Sequence, residues 1–150
     1  TVLALEKGIT IGTAESCTGG LVGKILTDLG GSSGYYQGGI ISYANAVKEQ
    51  VLGVSSETLA TYGAVSEETA KEMVEGVFRV LRTDYAIATT GIAGPGGGSQ
   101  EKPVGLVYIG IGTPRGIIVH KEIFIGDRDN IRKSVAERAI QYVYKELIER

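Results

Sequence analysis

Segments rich in β-branched and aromatic residues alternate with segments of helical periodicity along this chain of 150 residues. Strands are predicted at 9–14, 35–43, 84–91, 104–113 and 116–126, the last two joined by a hairpin at Pro114-Arg115-Gly116. Helices are predicted at 1–8, 18–28, 44–53, 56–62, from residue 66 for about four turns, and at 127–150. This alternation predicts an α/β fold with a mixed, mostly parallel sheet of about five to six strands.

Three of the predicted helices have one apolar face. Thr18 is the predicted N-cap of the helix at 18–28, whose apolar residues are Leu21, Ile25 and Leu29. In the helix that follows Ser66, a period near 3.6 relates Thr69, Met73, Val77, Val80 and Leu81. The apolar side of the last helix is predicted to comprise Ile131, Val135, Ala139, Tyr142, Val143 and Leu147.

Glycine accounts for 23 of the 150 residues, about twice the typical share of roughly 7%. The glycines are concentrated in GG at 19–20, LGGSSG at 29–34, QGGI at 37–40 and TGIAGPGGGS at 90–99. Clustered glycine marks backbone that turns sharply or approaches another group closely. Two of these polar loops follow predicted strands, so they are expected to meet at the carboxyl ends of the sheet, where such folds bind ligands.

Length, charge and cysteine content restrict the class of protein. The chain is long enough for one domain with its own core, predicted at 1–150. The net charge of −2 is spread along the sequence without a basic block, which argues against a nucleic-acid partner. A single cysteine excludes an internal disulfide and indicates a reducing compartment. Since neither a signal peptide nor a membrane-spanning apolar segment is evident, a soluble cytoplasmic protein without a membrane partner is expected.

A candidate nucleophile lies in AESCTGG, where a predicted strand turns into a predicted helix. Ser16 would lie near the first amides of that helix, which can hold a phosphate or an oxyanion. Cys17 is either a second nucleophile with a lowered pKa or a small buried side chain. The motif is not the GxSxG elbow, and the only histidine, His120, falls within a strand and is interpreted as structural. A serine without histidine needs another base, and SYANAVKEQ supplies Tyr43 and Lys48 at a strand-to-helix junction.

Two further features leave alternatives open. The segment TTGIAGPGGGSQEKPVG is either a ligand loop or a disordered connector, and it matches neither the P-loop nor the dinucleotide-binding motif. Arg128 and Arg132 either bind an anion or pair with Asp127 and Asp129. No group of Cys, His or carboxylates has metal-ligand spacing, so no metal site is expected.

Five motifs occur in order: TAESCTGGLV, SYANAVKEQVLGV, GAVSEETAKEMVEG, ATTGIAGPGGGSQEKPVGLV and GDRDNIR. Together they closely resemble the CinA C-terminal domain family over nearly the whole chain. Some members of that family are nicotinamide-nucleotide amidases. The resemblance implies a three-layer α/β/α sandwich that hydrolyses nicotinamide mononucleotide to nicotinate mononucleotide and ammonia, without a metal or organic cofactor. The family's nucleophilic serine falls on Ser16, and its tyrosine and lysine fall on Tyr43 and Lys48.

The residues suggest how this chemistry would proceed. Lys48, held neutral by burial and by Tyr43, is expected to accept the Ser16 proton as the hydroxyl attacks the amide carbon. Backbone amides at 18–20 are expected to stabilise the oxyanion, and the loop at 90–99 to hold the ribose phosphate or close the pocket. Glu15 either orients a neighbour or pairs structurally. The predicted substrate-binding residues are Glu15, Thr18, Gly19, Gly20, Thr90, Gly91, Gly94, Gly96, Gly97, Ser99 and Arg128.

Two other functions use the same features. A nucleotide-binding module without catalysis would leave the amide intact, and an interaction domain would act through oligomerisation or a DNA-repair partner. The combination of Ser16, Tyr43 and Lys48 favours the amidase, because a binding site has no need of a lysine beside a serine. Exposed strand edges on a small α/β domain favour a homo-oligomer, with a dimer expected. Since Thr1 stands first instead of Met, the numbering is expected to begin inside a longer chain.

Overall fold

The computed structural model describes residues 2–149, so Thr1 and Arg150 of the first and last predicted helices lie outside it. The strands are β1 (Ile11–Glu15), β2 (Tyr36–Ile41), β3 (Tyr85–Gly91), β4 (Leu106–Thr113) and β5 (Gly116–Ile123). The helices are α1 (Val2–Lys7), α2 (Leu21–Leu26), α3 (Asn45–Gln50), α4 (Ser56–Tyr62), α5 (Glu67–Leu81) and α6 (Arg128–Ile148), and a short 3₁₀ turn covers Ser32–Gly34.

The strands form one mixed sheet in the order β2-β1-β3-β4-β5. β1 is parallel to both of its neighbours, and β4 is antiparallel to both β3 and β5. Four of the five strands therefore run in one direction, with β4 opposed. The predicted hairpin is confirmed, since Thr113 pairs with Gly116 across a two-residue turn. The mixed α/β architecture predicted from the alternation is confirmed.

Helices cover both faces of the sheet, and the side chains of β3 show why. Ala86 and Ala88 belong to the core cluster beneath α5, whereas Ile87 between them belongs to the cluster beneath α2 and α6. Alternate residues of a strand point to opposite faces, so a strand covered on both sides must be apolar throughout. All of the residues from Tyr85 to Thr90 are buried. The result is a helix–sheet–helix arrangement of three layers.

Two of the predicted core residues are instead exposed, and four others are only partly buried, namely Leu21, Ile25, Leu81 and Tyr142. Leu29 is 60% exposed because α2 ends at Leu26, where the Thr27 hydroxyl donates back to the carbonyl of Gly23 and the chain turns away. Val80 is 42% exposed because it lies at the margin of the apolar face of α5. Tyr142, predicted for the apolar side of α6, packs its ring against His120 on β5. The period-3.6 pattern thus located the helices but overestimated the width of their buried faces.

The carboxyl ends of β1 and β3 lie side by side. Glu15 is paired with Thr89 in parallel register, and the amide of Ser16 donates to the carbonyl of Thr89 at 3.0 Å. The loop after β1 and the glycine-rich loop after β3 therefore leave the sheet at the same edge. Their predicted meeting at the carboxyl ends of the sheet is confirmed.

Candidate active site

A cavity of about 200 Å³ opens at this edge of the sheet. Six of the predicted site residues line it, namely Ser16, Tyr43, Lys48, Thr90, Gly91 and Arg128. The remaining lining residues are Cys17, Asn45, Ala64, Val65 and Ala93. The structure thus brings together residues from the loop after β1, the junction of β2 and α3, the end of β3 and the start of α6.

The buried amine of Lys48 faces the hydroxyl of Ser16. Lys48 Nζ lies 3.1 Å from Ser16 Oγ, 2.7 Å from the carbonyl oxygen of Ser42 and 3.2 Å from that of Tyr43. Lys48 lies in the last turn of the short helix α3, which follows β2, and the residue is only 1% exposed. Burial lowers the pKa of the Lys48 amine below its usual value, because the low-polarity surroundings disfavour the charged form.

The hydrogen-bonding partners of Lys48 accommodate both the neutral amine and the ammonium group. A neutral amine has two N–H groups and one lone pair, whereas an ammonium group has three N–H groups and no acceptor. Two carbonyl oxygens and one hydroxyl surround Nζ. If the carbonyls accept the two N–H groups, the lone pair faces the hydroxyl of Ser16. Within residues 2–149 no carboxylate forms an ion pair with Lys48.

Tyr43 contacts Lys48 in a different way from the predicted one. The contact is through the main-chain carbonyl of Tyr43, and the phenol hydroxyl instead accepts a hydrogen bond from Arg128 Nη2 at 3.1 Å. A carbonyl acceptor does not favour the neutral amine, so the expectation that Tyr43 helps to keep Lys48 neutral is wrong, and burial is the cause. The Tyr43 ring is 61% exposed and forms part of the cavity wall.

Glu15 performs the capping role predicted for Thr18. Its carboxylate, only 2% exposed, accepts hydrogen bonds from the amides of Gly20, Val22 and Gly23 at 3.2, 2.8 and 3.0 Å. α2 begins only at Leu21, and the Thr18 hydroxyl donates to the same carboxylate at 2.7 Å. The prediction of Thr18 as the N-cap is therefore wrong. A buried carboxylate at the end of β1 satisfies the first amides of the helix more completely than one hydroxyl does.

The amides of the turn after Ser16 are mostly occupied. Gly19 donates to the carbonyl of Ser16 at 3.1 Å, and Gly20 donates to Glu15. The expectation that these two amides are free to stabilise an oxyanion is wrong. The amide of Thr18 is different, since it has no acceptor among the described residues.

The first two arginines of α6 each donate hydrogen bonds to main-chain carbonyls near the site. Arg128 Nη1 donates to the carbonyl of Gly94 at 2.8 Å. Arg132 donates through Nε to the carbonyl of Cys17 at 3.1 Å and through Nη2 to that of Thr18 at 3.0 Å. The alternative pairing with Asp127 and Asp129 is wrong, because Asp127 caps α6 through the amide of Asn130 and Asp129 pairs with Lys133.

The glycine-rich loop after β3 is folded back on itself. Gly94 precedes a cis proline at Pro95, and Ser99 and Lys102 exchange hydrogen bonds through the Ser99 amide at 2.8 Å and the Ser99 hydroxyl at 3.0 Å. Lys102 Nζ also donates to the carbonyl of Tyr62 at 2.5 Å. The predicted binding residues Gly96, Gly97 and Ser99 lie on its exposed part, outside the lining of the cavity. These bonds argue against the disordered-connector alternative.

Cys17 and His120 both have structural surroundings. Cys17 is buried, and burial raises the pKa of its thiol to about 12, so the thiolate is scarce at neutral pH. This favours the interpretation of Cys17 as a packing neighbour. His120 lies on β5 with its ring stacked on that of Tyr142 at a centroid distance of 3.7 Å, outside the lining of the cavity.

Sequence reasoning missed part of the cavity wall. Asn45 lines the cavity and lies within the SYANAVK motif, so its position beside Tyr43 and Lys48 in the sequence could have identified it. Ala64, Val65 and Ala93 carry no chemical signal of their own and reach the cavity only because α5 and the glycine-rich loop pack beside it. Over residues 2–149 there is no cluster of potential metal ligands and no helix long and apolar enough to cross a membrane.

Comparisons with known proteins agree with this geometry. The family model of the CinA C-terminal domain matches residues 1–147. The nicotinamide-nucleotide amidohydrolase PncC of Escherichia coli is 46% identical, over 95% of this chain and 87% of that protein. A CinA-like protein of Leptospira borgpetersenii is 54% identical over 97% of this chain, which spans only 35% of that relative's length.

Solved structures show the same fold. The competence/damage inducible protein CihA of Agrobacterium tumefaciens has a TM-score of 0.92 at 42% identity, over 95% of this chain and 87% of that one. A CinA superfamily protein of Klebsiella pneumoniae has a TM-score of 0.95 at 31% identity, over 99% and 93% of the two chains. The sequence motifs, the fold and these matches agree, and the chain belongs to the CinA C-terminal domain family.

Proposed function

We propose that this chain hydrolyses the carboxamide of nicotinamide mononucleotide to give nicotinate mononucleotide and ammonia. The observation that carries the proposal is the buried Lys48 amine, 3.1 Å from the Ser16 hydroxyl in the wall of the cavity. A serine nucleophile needs a base within hydrogen-bond reach, and a desolvated lysine meets that need. The name of the Escherichia coli relative, nicotinamide-nucleotide amidohydrolase, supplies the substrate.

In the proposed reaction the neutral amine of Lys48 takes the proton of Ser16 as Oγ bonds to the carboxamide carbon. The C=O electron pair moves onto oxygen, giving a tetrahedral intermediate. Collapse of the intermediate breaks the C–N bond, and the leaving nitrogen takes the proton from Lys48 to depart as ammonia. Water then attacks the resulting ester, with Lys48 again accepting a proton and returning it to Ser16 Oγ. Nicotinate mononucleotide is released and both side chains regain their starting states.

Arg128 is the residue that we place at the substrate phosphate. It is the cation of the cavity lining apart from Lys48, and its bonds to Gly94 and Tyr43 engage two of the five N–H groups of the guanidinium. The exposed ring of Tyr43 offers a surface for the pyridine ring, and its hydroxyl orients Arg128. We retain Thr90 and Gly91, which line the cavity, as proposed contacts of the same substrate.

The role of Glu15 in this proposal is indirect. Its carboxylate is fully engaged by the turn and the start of α2, so it shapes the loop that carries Ser16. We also expect one domain at 1–150, a cytoplasmic location and a homo-oligomer, with a dimer the simplest form.

The test is ammonia release from nicotinamide mononucleotide by the wild type and by Ser16→Ala and Lys48→Ala. We expect both variants to lose a factor of about 10³ or more in kcat, because each removes one half of a unit that acts together. Ser33→Ala and Lys71→Ala are the matched controls, since both residues are exposed and lie outside the cavity lining. Nucleotide binding by the wild type without ammonia release would replace the amidase with a binding module.

A further inference from the structure

Asn45 lines the cavity that holds Ser16, and its side chain has no partner in the protein. It is the first residue of α3 and is exposed. Within residues 2–149 no hydrogen bond joins its side-chain amide to another residue. It does not cap the helix either, because Ala44 occupies the N-cap position and no side chain bonds to the first amides of α3. The contacts of Asn45 therefore give it no structural role.

The rest of the polar lining is engaged. Every other polar side chain in the wall forms a hydrogen bond within the protein, namely those of Ser16, Cys17, Tyr43, Lys48, Thr90 and Arg128. Over the described residues 2–149, Asn45 is thus the one polar side chain of this wall without an internal partner. A side-chain amide offers two N–H groups and an acceptor oxygen next to each other. These groups are available to a molecule in the cavity.

Asn45 lies in the same part of the wall as the proposed base. Asn45 and Lys48 are three residues apart on α3, so they share one face of the helix. Helical side chains incline toward the N-terminus, and Lys48 Nζ accordingly reaches back to the carbonyls of Ser42 and Tyr43, which precede α3. The Lys48 side chain therefore runs back along the first turn of α3, where Asn45 lies, to meet Ser16. A substrate held at Ser16 lies against the wall that contains Asn45.

The chemistry of the proposed substrate leaves one group for this position. Nicotinamide mononucleotide consists of a carboxamide, a pyridine ring, a ribose and a phosphate. In the proposed function Ser16 and Lys48 act on the carboxamide, Tyr43 contacts the ring and Arg128 binds the phosphate. The ribose carries two neighbouring hydroxyl groups, each of which can donate and accept. A side-chain amide complements such a diol, because its oxygen accepts from one hydroxyl while its N–H donates to the other.

We propose that Asn45 binds the two ribose hydroxyls and selects a ribonucleotide over analogues that lack them. This rests on the mononucleotide substrate of the proposed function. Asn45 forms no covalent bond and moves no proton in the reaction. The diol is the same in substrate, intermediate and product, so the contact is made equally in the ground state and the transition state. Interactions of this uniform kind act on KM and leave kcat nearly unchanged.

The test measures binding in a Ser16→Ala background, where nicotinamide mononucleotide is not consumed, by titration calorimetry. Adding Asn45→Ala is expected to weaken the Kd for the mononucleotide by about tenfold, the scale of one or two neutral hydrogen bonds. The Kd for an analogue whose ribose lacks both hydroxyls should change by less than about twofold, because the analogue has nothing for Asn45 to bind. Gln50→Ala is the matched control, since Gln50 carries an exposed amide on the same helix outside the cavity lining.

Kinetics with Ser16 intact give the second readout. Asn45→Ala should raise KM for ammonia release by about tenfold and change kcat by less than about threefold. Equal weakening of both ligands, or a lowered kcat with unchanged KM, would overturn the inference while the amidase stands. A wild type that binds the mononucleotide without releasing ammonia would overturn the amidase, and the comparison of the two ligands would still decide the role of Asn45. If Asn45→Ala does not fold, as judged by thermal unfolding, Asn45→Leu decides by the same comparison.

Discussion

Lys48 Nζ and Ser16 Oγ lie 3.1 Å apart, and both residues are buried at the point where β1 and β2 end. Ser42, between β2 and α3, ties the two segments together, because its amide donates to the carbonyl of Glu15 at 2.8 Å. The separation between base and nucleophile is therefore set by the sheet and not by a flexible loop.

Activity is expected to depend on the neutral form of Lys48. Burial lowers the pKa of the amine below 10.5, so the neutral fraction increases as pH rises through the lowered value. The profile of kcat/KM against pH should therefore rise and reach its plateau below pH 10.5. A profile that is still rising with a midpoint at or above 10.5 would contradict the role of Lys48 as the base.

The same pKa makes stability depend on pH. The unfolded chain binds a proton at Lys48 up to about pH 10.5, whereas the folded chain releases it at a lower pH. Folding is thus penalised progressively as pH falls from 10.5 through the folded-state pKa. Lys48→Met removes the penalty, so its free energy of unfolding should increase relative to that of the wild type as pH falls from 10 to 7. Urea unfolding measures this, with Lys71→Met as the control for loss of an exposed lysine.

Replacing Glu15 is expected to destabilise the protein. In Glu15→Gln one carboxylate oxygen becomes an amide donor that faces the N–H groups now held by the carboxylate. We expect a loss of about 1–3 kcal/mol in the free energy of unfolding, since buried charge-assisted bonds are lost. Glu57→Gln, in the exposed first turn of α4, should change stability by less than about 0.5 kcal/mol. Equal effects in the two variants would contradict the capping role of Glu15.

The thiol of Cys17 is expected to react slowly in the folded protein. Burial raises its thiol pKa to about 12, so alkylation of the native protein at neutral pH should be much slower than alkylation of the urea-unfolded chain. Cys17→Ala should keep the ammonia-releasing activity, because the hydroxyl of Ser16 is the proposed nucleophile. Loss of activity in Cys17→Ala with an unchanged melting temperature would reopen the alternative of a cysteine nucleophile.

Gly19 links the turn geometry to Arg132. Its φ of +59° is left-handed, and a Cβ there would lie 2.9 Å from Arg132 Nη2. Gly19→Ala should therefore cost about 1–2 kcal/mol in the free energy of unfolding, because its backbone is left-handed and the added Cβ would displace the guanidinium from the carbonyls of Cys17 and Thr18. Gly30→Ala is the matched control, because no atom lies within 4 Å of its added Cβ. Urea unfolding measures the difference, and equal free energies of unfolding for Gly19→Ala and Gly30→Ala would contradict this expectation.

The sequence predicted the elements of the fold better than the details of the site. Strands and helices were found because burial imposes a period on apolar residues, and β3 was recognisable as a strand buried on both faces. The meeting of Ser16, Tyr43 and Lys48 followed from their motifs and from the parallel order of the strands. The prediction of Thr18 as the N-cap of α2 was wrong, because the carboxylate of Glu15 on the preceding strand accepts the first amides of the helix.

Contacts between residues that are distant in the sequence could not be predicted either. Arg132 is 115 residues away from Cys17 in the sequence, and nothing in GDRDNIR indicates that its partners are main-chain carbonyls. Likewise, Leu29 has the correct spacing for the face of α2, but the helix ends before reaching it. Spacing along the chain describes neighbours on one element, and it cannot describe how two distant elements meet.

The carboxylate at the end of β1 has a consequence for ligand selection. In many α/β proteins the helix that follows the first strand receives a phosphate, and binding that anion completes the structure. Here the carboxylate of Glu15 occupies that position, since it already accepts hydrogen bonds from the amides at the start of α2. Inorganic phosphate has no vacancy to fill there and should add little to the melting temperature through α2. In the function proposed above, a phosphorylated substrate is bound at Arg128 and not at the start of α2, which leaves the end of β1 free for the chemistry of the amide.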